Sequence, residues 1–467
     1  MALSISENFL LDTLQAQELY HQHAAGLPVI DYQSGIQSAW VAEDDVFTNV
    51  ADLFSTRRFC SGSPLKANGG GEEDSADTDT DAWQRFKSWA DMLPYLVGSE
   101  QYLLTHLALK TVFGIDTLLN EQTAKAVYDA CNEQLAARPL TMRGLLQRFG
   151  VECVCTTDDP VADLRSHQVA REGGAEVKML PTWRPDRAVN IERLDFRDYI
   201  YQLGQAADVD ILRFTDLLEA LQRRHDFFAA NGCKLSDHRL EEFYDEPYTD
   251  SQIEIIFEKA MRGQELFKAE ARQYKHCILS RMAEMDSDAG WTQQYHYGMI
   301  CDNDSSGRAV GGLDTGFCAM DDYSTARAML SFFNRLQQKG KLTRTLLVDV
   351  NPSGSDMLCT MAGNFQDAAC PGKVQMGIGW WGDIPSADIA RQLKVLLRYG
   401  LLGRSVGVSG GVSSPLSYVR YDYFRRILCR ELGNDVVQGL LPHDMQLLGS
   451  TVENVCYHNA RCYFDFY

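Results

Sequence analysis

Short apolar segments recur along this chain and alternate with longer stretches in which apolar residues return every three or four positions. The first helical pattern covers 13–25: Asp12 is placed to cap it, Gln15 follows three residues later, and Gly26 and Pro28 stop it. An apolar segment follows at 29–32, and seven more come after it, at 151–155, 177–180, 233–235, 293–298, 346–350, 374–380 and 405–409. Helical patterns at 208–229, 322–338, 386–400 and 415–432 separate most of the later ones. Eight short strands interleaved with helices predict an α/β chain folded as a (β/α)8 TIM-type barrel with helical insertions. Two stretches break the rhythm: 36–145, a helical insertion after the first strand, and 239–289, a charged helical insertion. The whole of 1–467 therefore reads as one barrel carrying both.

Composition adds exclusions. With 45% apolar residues the chain has ample material for a large core. Lys plus Arg is 44 and Asp plus Glu is 64, giving 44 − 64 = −20, a charge that repels nucleic acid and anionic membranes. No apolar run approaches the ~20 residues that span a bilayer. The first residues carry Glu7 and Asp12 and no basic stretch, unlike a secretory signal, so a cytoplasmic location is expected. The thirteen cysteines are scattered and odd in number, with no metal-type CxxC, and Cys153 and Cys155 alternate as core residues of a strand. The Gly-then-acid run at 69–81 lacks the spacing of a calcium loop and reads as a solvated loop.

Several segments carry a family resemblance: WRPD at 183–186, SDH at 236–238, QYHYG at 294–298, NP at 351–352 with GNFQ at 363–366, GIGWW at 377–381 and LSYVRYDYFRRILCR at 416–430. Together they resemble the uronate isomerases (glucuronate isomerases) of the amidohydrolase superfamily, over nearly the whole chain. The resemblance implies a barrel that interconverts hexuronates and keto-hexuronates, with its chemistry at the carboxyl ends of the strands. It also implies residues that are not here. The expected His-x-His of the first strand falls on Gln33 and Gly35, the eighth-strand Asp on Gly411, and the Arg two positions later on Ser413. Three further positions, expected as Arg, Arg and Tyr, are Ser353, Cys301 and Cys60, and another expected Arg is Lys66. Gln is a poor zinc ligand and Gly none, so neither metal nor other cofactor is expected there.

What remains is Arg184, His296, Trp380, Trp381, Asp31, Asp237, His238 and Arg461. His296 is the candidate acid/base and Arg184 the candidate anion holder, with Trp380, Trp381, Ser353, Gly411 and Ser413 lining the pocket. Plainer readings stand beside these. Arg184 can pair with Asp186 or Asp159, a strand His is often a hydrogen-bonded core residue, and a Trp pair at a strand end is often packing. Asp237 and His238, as strand neighbours, point to opposite faces.

Most of these replacements shrink the side chain, which makes room for a larger ligand. The loop 407–414 feeds a helix that Ser414 can cap, with Pro415 at its first position, a pattern suited to binding an anion. Gly377, Gly379 and Gly382 add a second flexible loop. The emptied centre leads to the expectation of a repurposed, metal-independent enzyme acting on a sugar-acid-like or phosphorylated small molecule. A non-catalytic protein that binds a metabolite or partner is a second reading, and a working glucuronate/galacturonate ketol isomerase a third. A small anionic ligand is the expected partner, and self-association into a homo-oligomer is left open.

Overall fold

The strands of the computed structural model are β1 (Val29–Asp31), β2 (Val46–Phe47), β3 (Leu140–Thr141), β4 (Val151–Cys155), β5 (Lys178–Leu180), β6 (Leu235–Arg239), β7 (Thr292–Tyr297), β8 (Met299–Ile300), β9 (Ala319–Met320), β10 (Thr345–Asp349) and β11 (Val374–Met376). The structure describes residues 5–54, 81–301, 303–305, 318–322, 324–379, 386–412 and 414–467. Parallel pairing runs in the orders β1-β4-β5 and β6-β7-β10-β11. Isolated parallel bridges join these sheets: Trp183 with Ser236, Ile378 with Val408, and Ser34 with Val412. The strands thus follow one another around a closed circle in chain order, the (β/α)8 arrangement predicted. Two antiparallel pairs, β2–β3 and β8–β9, lie outside it.

Two predicted strands differ from expectation. The strand placed at 233–235 runs through Leu235–Arg239 instead, because Ser236 and Asp237 are buried and find internal partners in Asp286 and His296. The segment 405–409 makes a single bridge at Val408 rather than a strand. Gly407 there has φ +75°, and a Cβ on it would lie 2.5 Å from the Val455 carbonyl oxygen, so the backbone is both left-handed and closely covered. The opening helix is Leu14–Leu19 followed by a π turn, Tyr20–Ala24. Its cap is Thr13 rather than Asp12, since the extended backbone at Thr13 directs its side chain back to the Ala16 N–H, 3.1 Å away.

The stretch 36–145 contains the helices Ala82–Met92, Glu100–Phe113 and Ala124–Ala137, and 239–289 contains Asp250–Met261 and Lys268–Asp288. The last of these lies against the barrel: its fully buried Asp286 accepts from Ser236 Oγ at 2.7 Å and pairs with His225 at 3.1 Å. Residues 69–80 of the acidic run lie outside the described residues, while Asp81 caps the helix that follows. Among the described residues no helix is long and apolar enough to cross a membrane.

Alternation along the strands makes two cores. Ile30, Cys153, Cys155, Leu180, Leu235, Leu346 and Val348 fill the barrel, and their strand neighbours pack against the helices. The C-terminal segment closes the floor: Phe464 stacks on Tyr32 with ring centroids 4.8 Å apart, and Thr292 at the start of β7 donates to the Tyr463 carbonyl. The opposite end, where the strands finish, is left for the site.

Candidate functional site

β6 and β7 pair in parallel with Asp237 opposite Gln294 and Arg239 opposite His296. Residues two apart on a strand share a face, so Leu235, Asp237 and Arg239 all turn to the barrel interior, as do Gln294 and His296. His238 faces the other way, where its ring stacks on Tyr295 at 5.1 Å. The imidazole that Asp237 orients is therefore not its neighbour but His296: Nδ1 and the Asp237 Oδ1 are 2.5 Å apart, and both side chains are fully buried.

Arg184 enters this pair from the turn after β5. Its Nε donates to Asp186 Oδ2 at 2.8 Å, one of the pairings anticipated, and its Nη1 lies 3.6 Å from Asp237 Oδ2. Asp237 thus stands between an imidazole and a guanidinium. Burial pushes its carboxyl upward, but the charges of His296 and Arg184 and the hydrogen bond from His296 outweigh burial and hold it at about 2. It is ionised at neutral pH and accepts the proton on Nδ1, which leaves Nε2 as the atom through which His296 exchanges protons.

Arg239 was not anticipated as a site residue, although its place two positions beyond Asp237 signals a shared face. It is half-buried, with Nη2 2.5 Å from Cys301 Sγ and 3.9 Å from Cys318 Sγ. The two sulfurs are 2.8 Å apart. Its backbone N–H donates to Asp186 Oδ1, so Asp186 ties both arginines to one frame.

The other expected residues are dispersed. Trp380, Trp381, Ser413, Cys60 and Lys66 lie outside the described residues. Ser353 is exposed in the turn after β10, its backbone N–H donating to Asn351 Oδ1. The Gly411 N–H donates to the Gln33 carbonyl at 3.0 Å, Gly35 to the Val412 carbonyl at 2.6 Å and Ser409 to the Ile378 carbonyl at 3.0 Å. Those amides close the barrel rather than offer themselves to an anion. Asp31 turns outward, where Tyr421 and Tyr418 donate to it at 2.9 and 3.1 Å, so it belongs to the packing of β1 against the helix Val419–Val437 and the turn before it. Arg461 is exposed at the floor, bonded to Tyr457, and is no part of the site.

At the positions where the resemblance implies a metal, the donor set is the Gln33 amide oxygen, which accepts from Ser409 Oγ, and two glycines. Among the described residues no group of three or more His, Cys, Asp or Glu could hold a metal ion. These three positions supply no His, Cys, Asp or Glu.

The glucuronate isomerase family model matches residues 1–464. The chain is 45% identical over 464 residues to the uronate isomerase of Phocaeicola vulgatus, covering 99% of each. It is 40% identical over 465 residues to that of Cellvibrio japonicus, covering 99% of this chain and 98% of that one. The solved uronate isomerase of Thermotoga maritima superposes with a TM-score of 0.89 at 26% identity, covering 99% of this chain and 100% of that one. These likenesses overturn the expectation of a repurposed enzyme or a non-catalytic binder. Identity near one half, held from end to end, weighs more than replacements confined to a few strand-end positions.

Proposed function

We propose that this chain, which belongs to the glucuronate isomerase family, is a working uronate isomerase that interconverts glucuronate or galacturonate with the corresponding keto-acid. The observation that carries this reading is the buried Asp237–His296 pair with Arg184 beside it, at the end of the barrel where such enzymes act. An open-chain uronate has an aldehyde at C1, a hydroxyl on C2 and a carboxylate at C6. Nε2 of His296 takes the proton from C2. The C–H electrons become the C1–C2 double bond, and the carbonyl oxygen gains the negative charge, next to a guanidinium. His296 then returns the proton to C1, while the C2 hydroxyl proton passes to the oxygen on C1. The product carries a ketone at C2 and keeps its carboxylate at C6, with no atom gained or lost.

Asp237 serves this cycle by holding the imidazole in one tautomer and by offsetting its charge when it carries the proton. The partner so implied is a small sugar acid.

The test is incubation of the purified protein with D-glucuronate and with D-galacturonate, with and without added Zn²⁺, followed by 13C NMR. A ketone carbon signal growing in at least one mixture is expected. Its absence from all of them overturns the assignment.

A further inference from the structure

The geometry points to Arg239 as the residue that receives the substrate's carboxylate, an inference that rests on the isomerase reading. Two arginines stand at the barrel mouth and they are not equivalent. Arg184 is held by the carboxylates of Asp186 and Asp237. The side chain of Arg239, among the described residues, meets only the thiols of Cys301 and Cys318. A guanidinium carries five N–H donors in a planar fork, and a thiol is a weak acceptor. Half-buried and facing sulfur, Arg239 keeps Nε and Nη1 without an oxygen partner among the described residues. A carboxylate matches that fork with two parallel hydrogen bonds.

Position supports the same assignment. Arg239 and His296 are register partners on adjacent parallel strands, about 4.8 Å apart in backbone spacing, and both side chains take the interior face. An open-chain sugar acid anchored by its carboxylate at Arg239 lies across the mouth with its far end free to reach His296. Asp186 stiffens the arrangement, since it accepts from the Arg239 backbone at 3.1 Å and from Arg184 Nε at 2.8 Å. Arg184, already paired, is then left beside the reacting oxygens.

The test uses D-gluconate, a carboxylate that lacks the carbonyl and so cannot isomerise, and the neutral alcohol D-glucitol, both titrated calorimetrically into the full-length protein. The wild type is expected to bind gluconate and to bind glucitol at least tenfold more weakly. Arg239→Met should lose roughly 10- to 100-fold in gluconate affinity, the worth of a charged hydrogen-bonded contact, with little change for glucitol. Arg239→Lys, which keeps charge but not the fork, should fall between and serves as the readout if the Met variant does not fold. With glucuronate as substrate, Arg239→Met should raise KM far more than it lowers kcat. Gluconate affinity unchanged by Arg239→Met, or a change only in the thiol reactivity of Cys301 and Cys318, overturns the assignment. Arg239-dependent gluconate binding in a protein that isomerises neither uronate would sink the isomerase reading and leave this one standing.

Discussion

Nδ1 of His296 and Oδ1 of Asp237 lie 2.5 Å apart on neighbouring parallel strands, and neither side chain reaches solvent. A buried carboxylate is costly unless paired, and here Oδ1 meets the imidazole while Oδ2 is ion-paired with Arg184 Nη1 at 3.6 Å. The pair therefore works as a unit, and losing either member should show in the chemical step.

Asp237→Asn is expected to lower kcat for uronate isomerisation by about 100-fold or more, with KM changed only a few-fold, because the amide no longer fixes one tautomer or offsets the imidazolium. His296→Gln should cost at least as much. The double variant should be little worse than His296→Gln alone, since members of one unit are not additive. Initial rates of keto-acid formation measure all three, and fully multiplicative losses would refute the coupling.

Stability should fall with rising pH through a carboxyl that takes no part in chemistry. Burial, opposed by hydrogen bonds from Ser34, Tyr421 and Tyr418, raises Asp31 to about 6, against about 3.9 for an unfolded Asp. A raised folded-state value means the folded protein holds this proton more tightly. The stabilisation is therefore fully present below pH ~4 and is lost as pH climbs through ~6. A shift of about two units corresponds to roughly 2–3 kcal/mol. Urea unfolding of the wild type and Asp31→Asn from pH 4 to 7 should show the variant gaining about that much relative to the wild type. A pH-independent difference would show that Asp31 does not titrate in this range. Asp237 and Asp286, both held near 2, act at the other end: their stabilisation is present above ~4 and fades only as pH drops toward 2.

The C-terminal floor should be separable from the mouth. Phe464 is fully buried against Tyr32, so Phe464→Ala should destabilise by about 3–5 kcal/mol through lost burial and the cavity left behind. Because this contact is at the end of the barrel away from His296, kcat at a temperature where the variant is folded should match the wild type. Urea denaturation and steady-state kinetics check the two halves, and a loss of kcat without a loss of stability would contradict the layout.

Strand positions, the helices between them and the family were legible because apolar periodicity survives in β4, β7, β10 and β11 and the shared segments are long. His296 and Arg184 were legible as candidates for the same reason. The replacements at 33, 35 and 411 suggested a changed activity, since read singly they showed what was missing and not that the likeness runs the full length of the chain. The extent of β6 was hidden by its own polarity: Ser236, Asp237 and His238 look like a loop until Asp286, His296 and Tyr295 supply their partners.

By itself, then, the sequence determined the local periodicities, hence the elements, their order and the closed barrel that order builds. Only the tertiary structure decided that Asp237 serves His296 and not His238, that Arg184 is already neutralised while Arg239 faces two thiols, and that Asp31 packs outward. The reason is that periodicity is a property of neighbours along the chain, whereas charge pairing and burial depend on residues as far apart as Asp237 and His296, which meet only when parallel strands set their register.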